Sequence, residues 1–169
     1  MSDAAAIRRL DQADLPAYRT IRLEALRLHP EAFSSALEDE AAESLESFAR
    51  KIVPPPGATL GCFVDGKLVG IAGLIVSPRV KLRHKGTLVG VYLDPLHRGQ
   101  SRARRLVEAV IQEARLAGLI SLHLSVTVGN EAAERLYRAL GFRCYGVEER
   151  ALRIDDGYVG EAMMVLDLD

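Results

Sequence analysis

Cysteine is scarce in this sequence, and tryptophan is absent. The two cysteines, Cys62 and Cys144, lie far apart in apolar surroundings and belong to no CxxC or Cys/His spacing. Disulfide frameworks and structural zinc sites need several such residues at characteristic spacings. We therefore expect two reduced core cysteines in a cytosolic protein, with no metal site and no disulfide framework.

Long apolar runs are absent as well. No run reaches the ~18 apolar residues that a membrane span requires. The first residues, MSDAAAIRRLDQAD, also lack the apolar core of a signal peptide. These absences predict a cytoplasmic location and no membrane partner.

Neither sign of charge is in excess. The chain carries 22 Lys and Arg against 23 Asp and Glu, for a formal net charge of −1, whereas a protein whose main partner is DNA or RNA is more often strongly basic. Two local basic segments, HRGQSRARRL (97–106) and PRVKLRHK (78–85), leave a nucleic-acid surface as an alternative. No aromatic residues are interleaved with the arginines of the first segment, as single-strand binding would favour. We expect no nucleic-acid partner.

The length of 169 residues favours a single domain over 1–169. The clearest break in the chain is the run from Pro54 to Gly57, which contains three consecutive prolines. We interpret it as a loop inside the domain, because only about fifty residues precede it and domains are usually longer.

Alternating and periodic apolar positions predict the secondary structure. Strands are expected over 5–10, 59–64, 68–76, 86–93, 119–126, about 142–153 and about 158–168. Helices are expected from an N-cap at Asp14 to about His29, over 45–52, over 101–117, and from an N-cap at Asn130 to Gly141, with a polar, acidic connection over 30–44. This order predicts an α/β (α+β) fold: a mixed, mostly antiparallel central sheet of about seven strands flanked by about four helices.

The segment HRGQSRARRL stands between a predicted strand and a predicted helix. The first backbone N–H groups of a helix lack internal partners and carry the positive end of its dipole, so this junction suits an anion. Gly99 permits close backbone approach, and Ser101 and Ala103 are small. The segment matches neither GxxxxGK[ST] nor GxGxxG. Taken alone, it is explained equally well as a solvated basic helix start.

A second motif, later in the chain than the basic segment, favours a functional role for that segment. LHLSVTVGNEAAERLYRALGF (122–142) fits L-x-L-x-V-x-x-x-N-x-x-A-x-x-L-Y-x-x-x-G-F at every specified position. With LDPLHRGQSRARRL, which places Arg98, Ser101 and Ala103 on the pattern R/Q-x-x-G-x-G/A, the chain resembles the GCN5-related N-acetyltransferase (GNAT) family. The resemblance covers nearly the whole chain from about residue 5 and implies a GNAT-like acyl-CoA acyltransferase fold. Ser101 departs from it, since the family carries glycine there.

The resemblance implies an N-acetyltransferase with acetyl-CoA as co-substrate. It places the CoA pyrophosphate on backbone amides of the loop and first helical turn: Gly99, Gln100, Ser101, Arg102, Ala103 and Arg104. The side chains of Arg98, Arg102 or Arg104 are candidates for phosphate contacts. It also implies that the preceding strand splays from its parallel neighbour, so that the backbone of Val91, Tyr92 and Leu93 binds the pantetheine arm and polarises the thioester carbonyl. Since the amide of Ser101 is unchanged, we expect altered affinity rather than lost binding.

Tyr137 is the predicted catalytic residue. A leaving CoA thiolate needs a proton, and a phenol within hydrogen-bond reach supplies or shares one. Helical spacing alone would make Tyr137 a core aromatic, and the motif reverses that preference. Asn130 has two compatible roles, as the helix N-cap and as a hydrogen-bonding partner of the pantetheine arm.

The general base is left unassigned by the sequence. The strand 86–93 contains no glutamate, so the carboxylate that some family members carry there is missing. The candidates are Glu161, Glu31, His84, His123 or a water chain. No cysteine occurs in either motif, which favours direct attack by the amine over a covalent acetyl-enzyme.

Acceptor recognition is expected from the segment 29–45 and the final hairpin, with Glu31, Phe33 and Glu161 as candidate contacts. Further acidic residues in these segments would attract a cationic amine: Glu38, Asp39, Glu40, Asp155 and Asp156. A solvated acidic loop explains them equally well. The acceptor is expected to be a small amine, a polyamine, a peptide N-terminus or a lysine. A non-catalytic acyl-CoA-binding module is the alternative function, and the chain is expected to be a monomer or homodimer.

Overall fold

The computed structural model describes residues 5–169, which contain seven strands and five helices. The strands are β1 (Ala6–Arg9), β2 (Ala58–Val64), β3 (Lys67–Val76), β4 (Lys85–Leu93), β5 (Ser121–Thr127), β6 (Arg143–Ile154) and β7 (Gly157–Asp167). The helices are α1 (Leu15–Leu28), α2 (Leu37–Ala41), α3 (Leu45–Ala49), α4 (Arg102–Leu116) and α5 (Glu131–Ala139). None of the helices within 5–169 is both long and apolar enough to cross a membrane.

All seven strands belong to one sheet in the order β1-β2-β3-β4-β5-β7-β6. Every neighbouring pair is antiparallel except β4 with β5, which is parallel. This confirms the predicted mixed, mostly antiparallel sheet of seven strands. The connection between β4 and β5 contains α4, because parallel neighbours need a long crossover between them.

The segment 30–44 was expected to be a loop but contains α2, so the described residues have five helices where about four were predicted. Three acidic residues, Glu38, Asp39 and Glu40, occupy its first turn, where negative charge interacts favourably with the helix dipole. This helix has only two apolar residues, Leu37 and Ala41, too few to produce a periodic apolar pattern, which explains why the sequence did not indicate it.

The start of α1 differs from the prediction in one residue. Asp14 does not cap the helix with its side chain. Instead, Asp11 accepts a hydrogen bond from the amide of Ala13 (2.8 Å), and the Asp14 carboxylate accepts one from the amide of Asp11 (2.9 Å). This reciprocal pair closes a 3-10 turn over Gln12–Asp14 that leads into α1.

The core consists of two clusters on opposite faces of the sheet. Ala72 belongs to the cluster beneath α4, while its neighbour Ile71 belongs to the cluster beneath α1, as the alternation of side chains along a strand requires. The predicted apolar stripe of α4 packs on the first face, with Leu106, Val107, Val110 and Ala114 fully buried. Tyr137 joins the α4-side cluster and Tyr92 the α1-side cluster. The two faces therefore present different side chains to the middle of β4.

Candidate active site

The parallel pairing of β4 with β5 is short. Only Lys85, Gly86 and Thr87 pair with β5, opposite Ser121, Leu122 and His123. Beyond Thr87 the two strands separate. On its other edge β4 shifts register against β3, and Gly90 there adopts φ +62°, the geometry of a β-bulge with a glycine in the left-handed region. The separation that the resemblance implied is thus present, and it turns backbone groups of β4 toward a gap.

A cavity of about 1350 Å³ occupies this gap and extends to the α1 face of the sheet. It brings together most of the predicted site residues: Val91, Tyr92, Leu93, Arg98, Gly99, Ala103, Asn130, Tyr137, Glu31, Phe33 and Glu161. Gln100, Ser101, Arg102 and Arg104 were also predicted and do not line it. The cavity joins both motifs to the segment that follows α1.

The loop before α4 has an unusual backbone. Gly99, Gln100 and Ser101 all have positive φ, at +84°, +50° and +56°. Their amides donate no hydrogen bond to another backbone group within residues 5–169. Together with the first turn of α4, these amides can bind an anion.

Ser101 occupies the left-handed conformation that glycine adopts without cost. The sequence predicts altered affinity from the missing glycine, and the left-handed backbone conformation at this position is the physical reason that glycine is favoured here. The side chain of Ser101 makes no capping hydrogen bond to α4. Holding a serine in this region costs about 1 kcal/mol.

The three arginines considered for phosphate contacts have different environments. The buried guanidinium of Arg102 donates to the carbonyl of His97 (3.1 Å) and to Oε1 of Gln100 (2.7 Å), so it ties the loop to α4. Its amide donates to Gly99 (3.3 Å). Because both its side chain and its N–H are engaged within the loop, Arg102 is a weaker candidate for a phosphate contact.

Arg104 and Arg98 are the other two candidates for a phosphate contact, and their side chains lie in different places. Arg104 donates from Nε to Glu108 (2.8 Å) on the exposed side of α4, away from the cavity. Only Arg98 of the three lines the cavity, and its Nη2 lies 3.2 Å from Nε2 of His29. Arg98 is thus the candidate side chain for phosphate.

Tyr137 lies on the cavity wall at the end of the gap. Its ring packs edge to face on Phe142, with 5.7 Å between ring centroids, and only 7% of the residue is exposed. Burial raises the pKa of Tyr137 to about 12, so its hydroxyl is protonated at neutral pH. Asn130, which also lines the cavity, caps α5 by accepting from the amide of Ala133 (3.3 Å), as predicted.

The segment after α1 forms the wall of the cavity on the α1 side of the sheet. The hydroxyl of Thr127 at the end of β5 donates to the carbonyl of Glu31 (2.5 Å), which fixes the 3-10 turn Pro30–Ala32 against the sheet. Phe33 is buried beneath the guanidinium of Arg22, 5.0 Å from the ring centroid. Glu161, on β7, pairs with Thr127 in the sheet register. The predicted acceptor contacts Glu31, Phe33 and Glu161 therefore lie on one wall.

Glu40 cannot attract a cationic acceptor as expected. It is 2% exposed and accepts hydrogen bonds from Nη2 (2.8 Å) and Nε (3.0 Å) of Arg22, with Nζ of Lys51 3.6 Å away. Burial works to raise the pKa of Glu40, but the hydrogen bonds and charge of Arg22 outweigh it and hold the pKa below its ordinary value. The charge of Glu40 is thus already neutralised inside the wall.

Neither histidine proposed as a base lines the cavity. His84 is exposed in the basic loop. His123, on β5, contacts Oγ of Ser121 (3.2 Å) and the ring of Tyr145. Burial lowers the pKa of His123, but its side chain does not reach the site.

Two side-chain features of the cavity were not predicted from the sequence: His29 itself, and the side-chain contact of Tyr92, which was named only for its backbone. His29 lines the cavity and contacts Arg98. Tyr92 donates from its hydroxyl to Oε1 of Glu24 (2.9 Å), and burial together with this hydrogen bond raises the pKa of Tyr92. The signal available for His29 was its place at the start of the segment 29–45, which was already expected to border the site.

Comparison with known proteins agrees with this geometry. Residues 17–142 match the Acetyltransferase (GNAT) family. The N-alpha-acetyltransferase RimI of Mycobacterium tuberculosis is 32% identical over 109 residues, which span 64% of this chain and 66% of that protein, just under two thirds of its length.

Solved structures share the whole architecture. A GNAT acetyltransferase of Streptococcus pneumoniae superposes with a TM-score of 0.86 at 24% identity, covering 98% of this chain and 100% of the other. A putative acetyltransferase of Salmonella typhimurium, determined with acetyl-CoA, superposes with a TM-score of 0.81 at 24% identity, covering 98% and 95%. The match to the family over most of the chain, on the fold and gap described above, means that this chain belongs to the GNAT family and is an N-acetyltransferase.

Proposed function

We propose that this protein transfers the acetyl group of acetyl-CoA to a primary amine of a small molecule or a peptide by direct attack. The observation that carries the proposal is the single cavity that joins the β4–β5 gap, the loop before α4 and Tyr137. A donor bound along the β4–β5 gap and the loop before α4 would present its thioester beside Tyr137. The acetyl-CoA named with the Salmonella typhimurium structure supports this choice of donor.

The residues present suit the donor. The pyrophosphate would bind the amides of Gly99 to Ser101 and the first turn of α4, with Arg98 as the charged side chain. The pantetheine arm would pair with backbone groups of β4 beyond Thr87, which have no partner on β5. Asn130, at the start of α5, completes this half of the site.

The chemistry requires three groups. An N–H of Val91 or Tyr92 would stabilise the negative charge that develops on the thioester oxygen. The neutral amine forms a C–N bond as the C–S bond breaks, and Tyr137 donates its hydroxyl proton to the leaving sulfur. Burial raises the proton affinity of a thiolate as it does that of a phenolate, so the high pKa of Tyr137 does not oppose this transfer. A base must first deprotonate the amine, because an alkylammonium has a pKa near ~10 and no free electron pair.

The acceptor class stays broad. The wall on the α1 side carries Glu31 and Glu161, whose charges favour an ammonium group. The name of the RimI relative supports a peptide N-terminus as one candidate. Small amines and polyamines fit a cavity of about 1350 Å³ equally well.

An amine panel tests the proposal. Release of the CoA thiol would be followed with four acceptors: a peptide beginning with alanine, a peptide with one internal lysine, spermidine and an aminoglycoside. Calorimetry with acetyl-CoA would run in parallel. The proposal predicts acetyl-CoA binding and amine-dependent thiol release with at least one acceptor. Binding without thiol release on any of them would contradict it and would favour a non-catalytic acyl-CoA-binding module.

A further inference from the structure

Three side chains form a chain of contacts along the cavity wall. Nη2 of Arg98 lies 3.2 Å from Nε2 of His29, and Nδ1 of His29 lies 3.7 Å from Oε1 of Glu31. A guanidinium can only donate hydrogen bonds, so Nε2 of His29 must be the acceptor in the first contact. The ring proton is therefore on Nδ1, the nitrogen that faces the carboxylate of Glu31. His29 thus holds an electron pair on the nitrogen nearest the donor-binding loop.

The position of His29 complements that of Tyr137. The His29 ring lies 6.1 Å, between centroids, from the ring of Tyr92, whose side chain packs on the α1 face of the sheet. Tyr137 packs on the α4 face. The two residues thus flank the bulged part of β4 from opposite sides. The acceptor wall lies on the α1 side, so a group that deprotonates the amine belongs there.

His29 is also held in place from two directions. Its amide donates to the carbonyl of Ala25 (3.0 Å) at the end of α1. The carbonyl of Glu31, two residues later, accepts from the hydroxyl of Thr127 (2.5 Å). These bonds tie the segment that carries His29 to both α1 and β5.

The other titratable groups near the acceptor are engaged or distant. Glu24 accepts from Tyr92, and Glu40 accepts from Arg22. His84 and His123 do not line the cavity. Among the candidates named from the sequence, only Glu31 and Glu161 line it beside His29, and Glu31 faces Nδ1 of the imidazole.

On the basis of the proposed function, we propose that His29 is the general base for the acceptor amine and that Arg98 makes its availability depend on the bound donor. Without donor, Arg98 occupies Nε2. A pyrophosphate is a stronger partner for a guanidinium than a neutral imidazole, because both groups are then ionised. Donor binding therefore draws Arg98 away and leaves the electron pair of Nε2 facing the cavity.

The proton movements then balance. Nε2 takes one proton from the acceptor ammonium, and the neutral amine forms the C–N bond as the C–S bond of the thioester breaks. Tyr137 protonates the leaving sulfur, so CoA leaves as the thiol, and the second proton that the nitrogen loses as it becomes an amide returns to Tyr137 through solvent. The imidazolium that results is stabilised by the carboxylate of Glu31 at Nδ1. After the product leaves, His29 returns the proton to solvent and Arg98 rebinds Nε2 when CoA dissociates.

The first test compares variants of His29 in the thiol-release assay, with whichever of the four panel acceptors shows the highest kcat/KM on the wild type. H29Q keeps an oxygen that accepts from Arg98 but cannot take a proton. It is expected to lower kcat about 100-fold, the usual scale for losing a general base, with the KM for acetyl-CoA nearly unchanged. H29A is expected to lose as much and to recover at least about tenfold in added imidazole, which a purely structural role would not allow. H84Q, at an exposed histidine outside the cavity, is the matched control and is expected to retain wild-type kcat.

The second test needs no turnover. Diethyl pyrocarbonate acylates neutral, accessible imidazole nitrogens, and mass spectrometry of peptides separates His29 from the other three histidines. Modification of His29 is expected to be slow in the free enzyme and faster with CoA bound, while R98Q is expected to react fast with or without CoA. Modification of His29 that CoA slows or leaves unchanged would contradict the inference. Wild-type kcat in H29Q would also contradict it. So would a loss of kcat found only in E161Q, which replaces the candidate base on β7 that also lines the cavity. A wild type that acetylates no panel amine would instead contradict the proposed function, and the labelling result would still decide whether Arg98 covers His29.

Discussion

The guanidinium of Arg102 donates to Oε1 of Gln100 across 2.7 Å and to the carbonyl of His97 across 3.1 Å, which ties α4 to the loop in which Gly99, Gln100 and Ser101 have positive φ. A buried arginine thus shapes the backbone that faces the proposed pyrophosphate site. Its contribution to donor binding is indirect, since neither its side chain nor its amide points into the cavity.

Replacing this arginine should loosen the loop. R102M removes the guanidinium that donates to His97 and Gln100, and hydrogen bonds from a charged group contribute about 2 kcal/mol of folding free energy. We expect the KM for acetyl-CoA to rise about tenfold, equivalent to ~1.4 kcal/mol of binding. Urea unfolding and steady-state kinetics measure the two effects. The control is R104M, whose arginine pairs with Glu108 outside the cavity, and an equal loss in both variants would contradict the assignment.

Replacing Ser101 by glycine is expected to raise both the stability of the fold and its affinity for acetyl-CoA. S101G removes the cost of holding a side chain at φ +56°, and we expect it to stabilise the fold by about 0.5–1 kcal/mol. Because its loop is preformed, S101G should also bind acetyl-CoA a few-fold more tightly than the wild type, as measured by calorimetry. S101A keeps the backbone cost and removes only the hydroxyl, so a loss of affinity in S101A would show that the hydroxyl, and not the backbone, is what Ser101 contributes.

The bulge in β4 depends on a glycine for two reasons. Gly90 has φ +62°, and a Cβ there would lie 3.2 Å from Nη1 of Arg22. We expect G90A to cost about 2 kcal/mol of stability and to lower kcat by distorting the backbone of Val91. G66A is the matched control, because Gly66 has φ +78° with nothing within 4 Å of its added Cβ. If both variants lose the same stability and neither loses activity, the bulge is not needed for catalysis.

The pair of Arg22 and Glu40 predicts an acid-sensitive fold. The folded pKa of Glu40 lies below its ordinary value of 4.5, so its contribution to stability is complete above 4.5 and is lost as the pH falls through the lower, folded value. Urea unfolding from pH 7 to pH 3 should therefore show a steeper loss for the wild type than for E40Q. E40Q should itself be less stable at pH 7, since it leaves a buried guanidinium without its charge partner. Equal pH slopes in the two proteins would contradict the role of this pair.

Local patterns predicted most of the strands, because each strand is either a short apolar run or an alternating run, bounded by turn residues. The strands on either side of Val64 and the apolar stripe of α4 follow from such patterns. Tyr137 and Asn130 came from a motif contained within 21 consecutive residues, 122–142. Both residues line the cavity.

The features that the sequence did not predict depend on distant partners. His29 contacts Arg98 from 69 positions away, and Glu40 is buried by Arg22 from a different helix. Arg102 is one of three equal candidates for a phosphate contact in the sequence, because nothing local indicates that its side chain bonds to His97 and Gln100 instead. The charge of a residue is visible in a sequence, whereas the partner that neutralises it depends on the packing of the fold.

The most direct test of catalysis at this site is the turnover of Y137F with acetyl-CoA and the panel acceptors. The substitution removes one hydroxyl from a ring that keeps its packing on Phe142, so calorimetry should find acetyl-CoA affinity nearly unchanged. We predict that kcat falls about 100-fold or more, while Y145F, at an exposed tyrosine on β6, retains wild-type kcat. Wild-type turnover by Y137F would contradict the role of Tyr137 as the group that protonates the leaving thiolate.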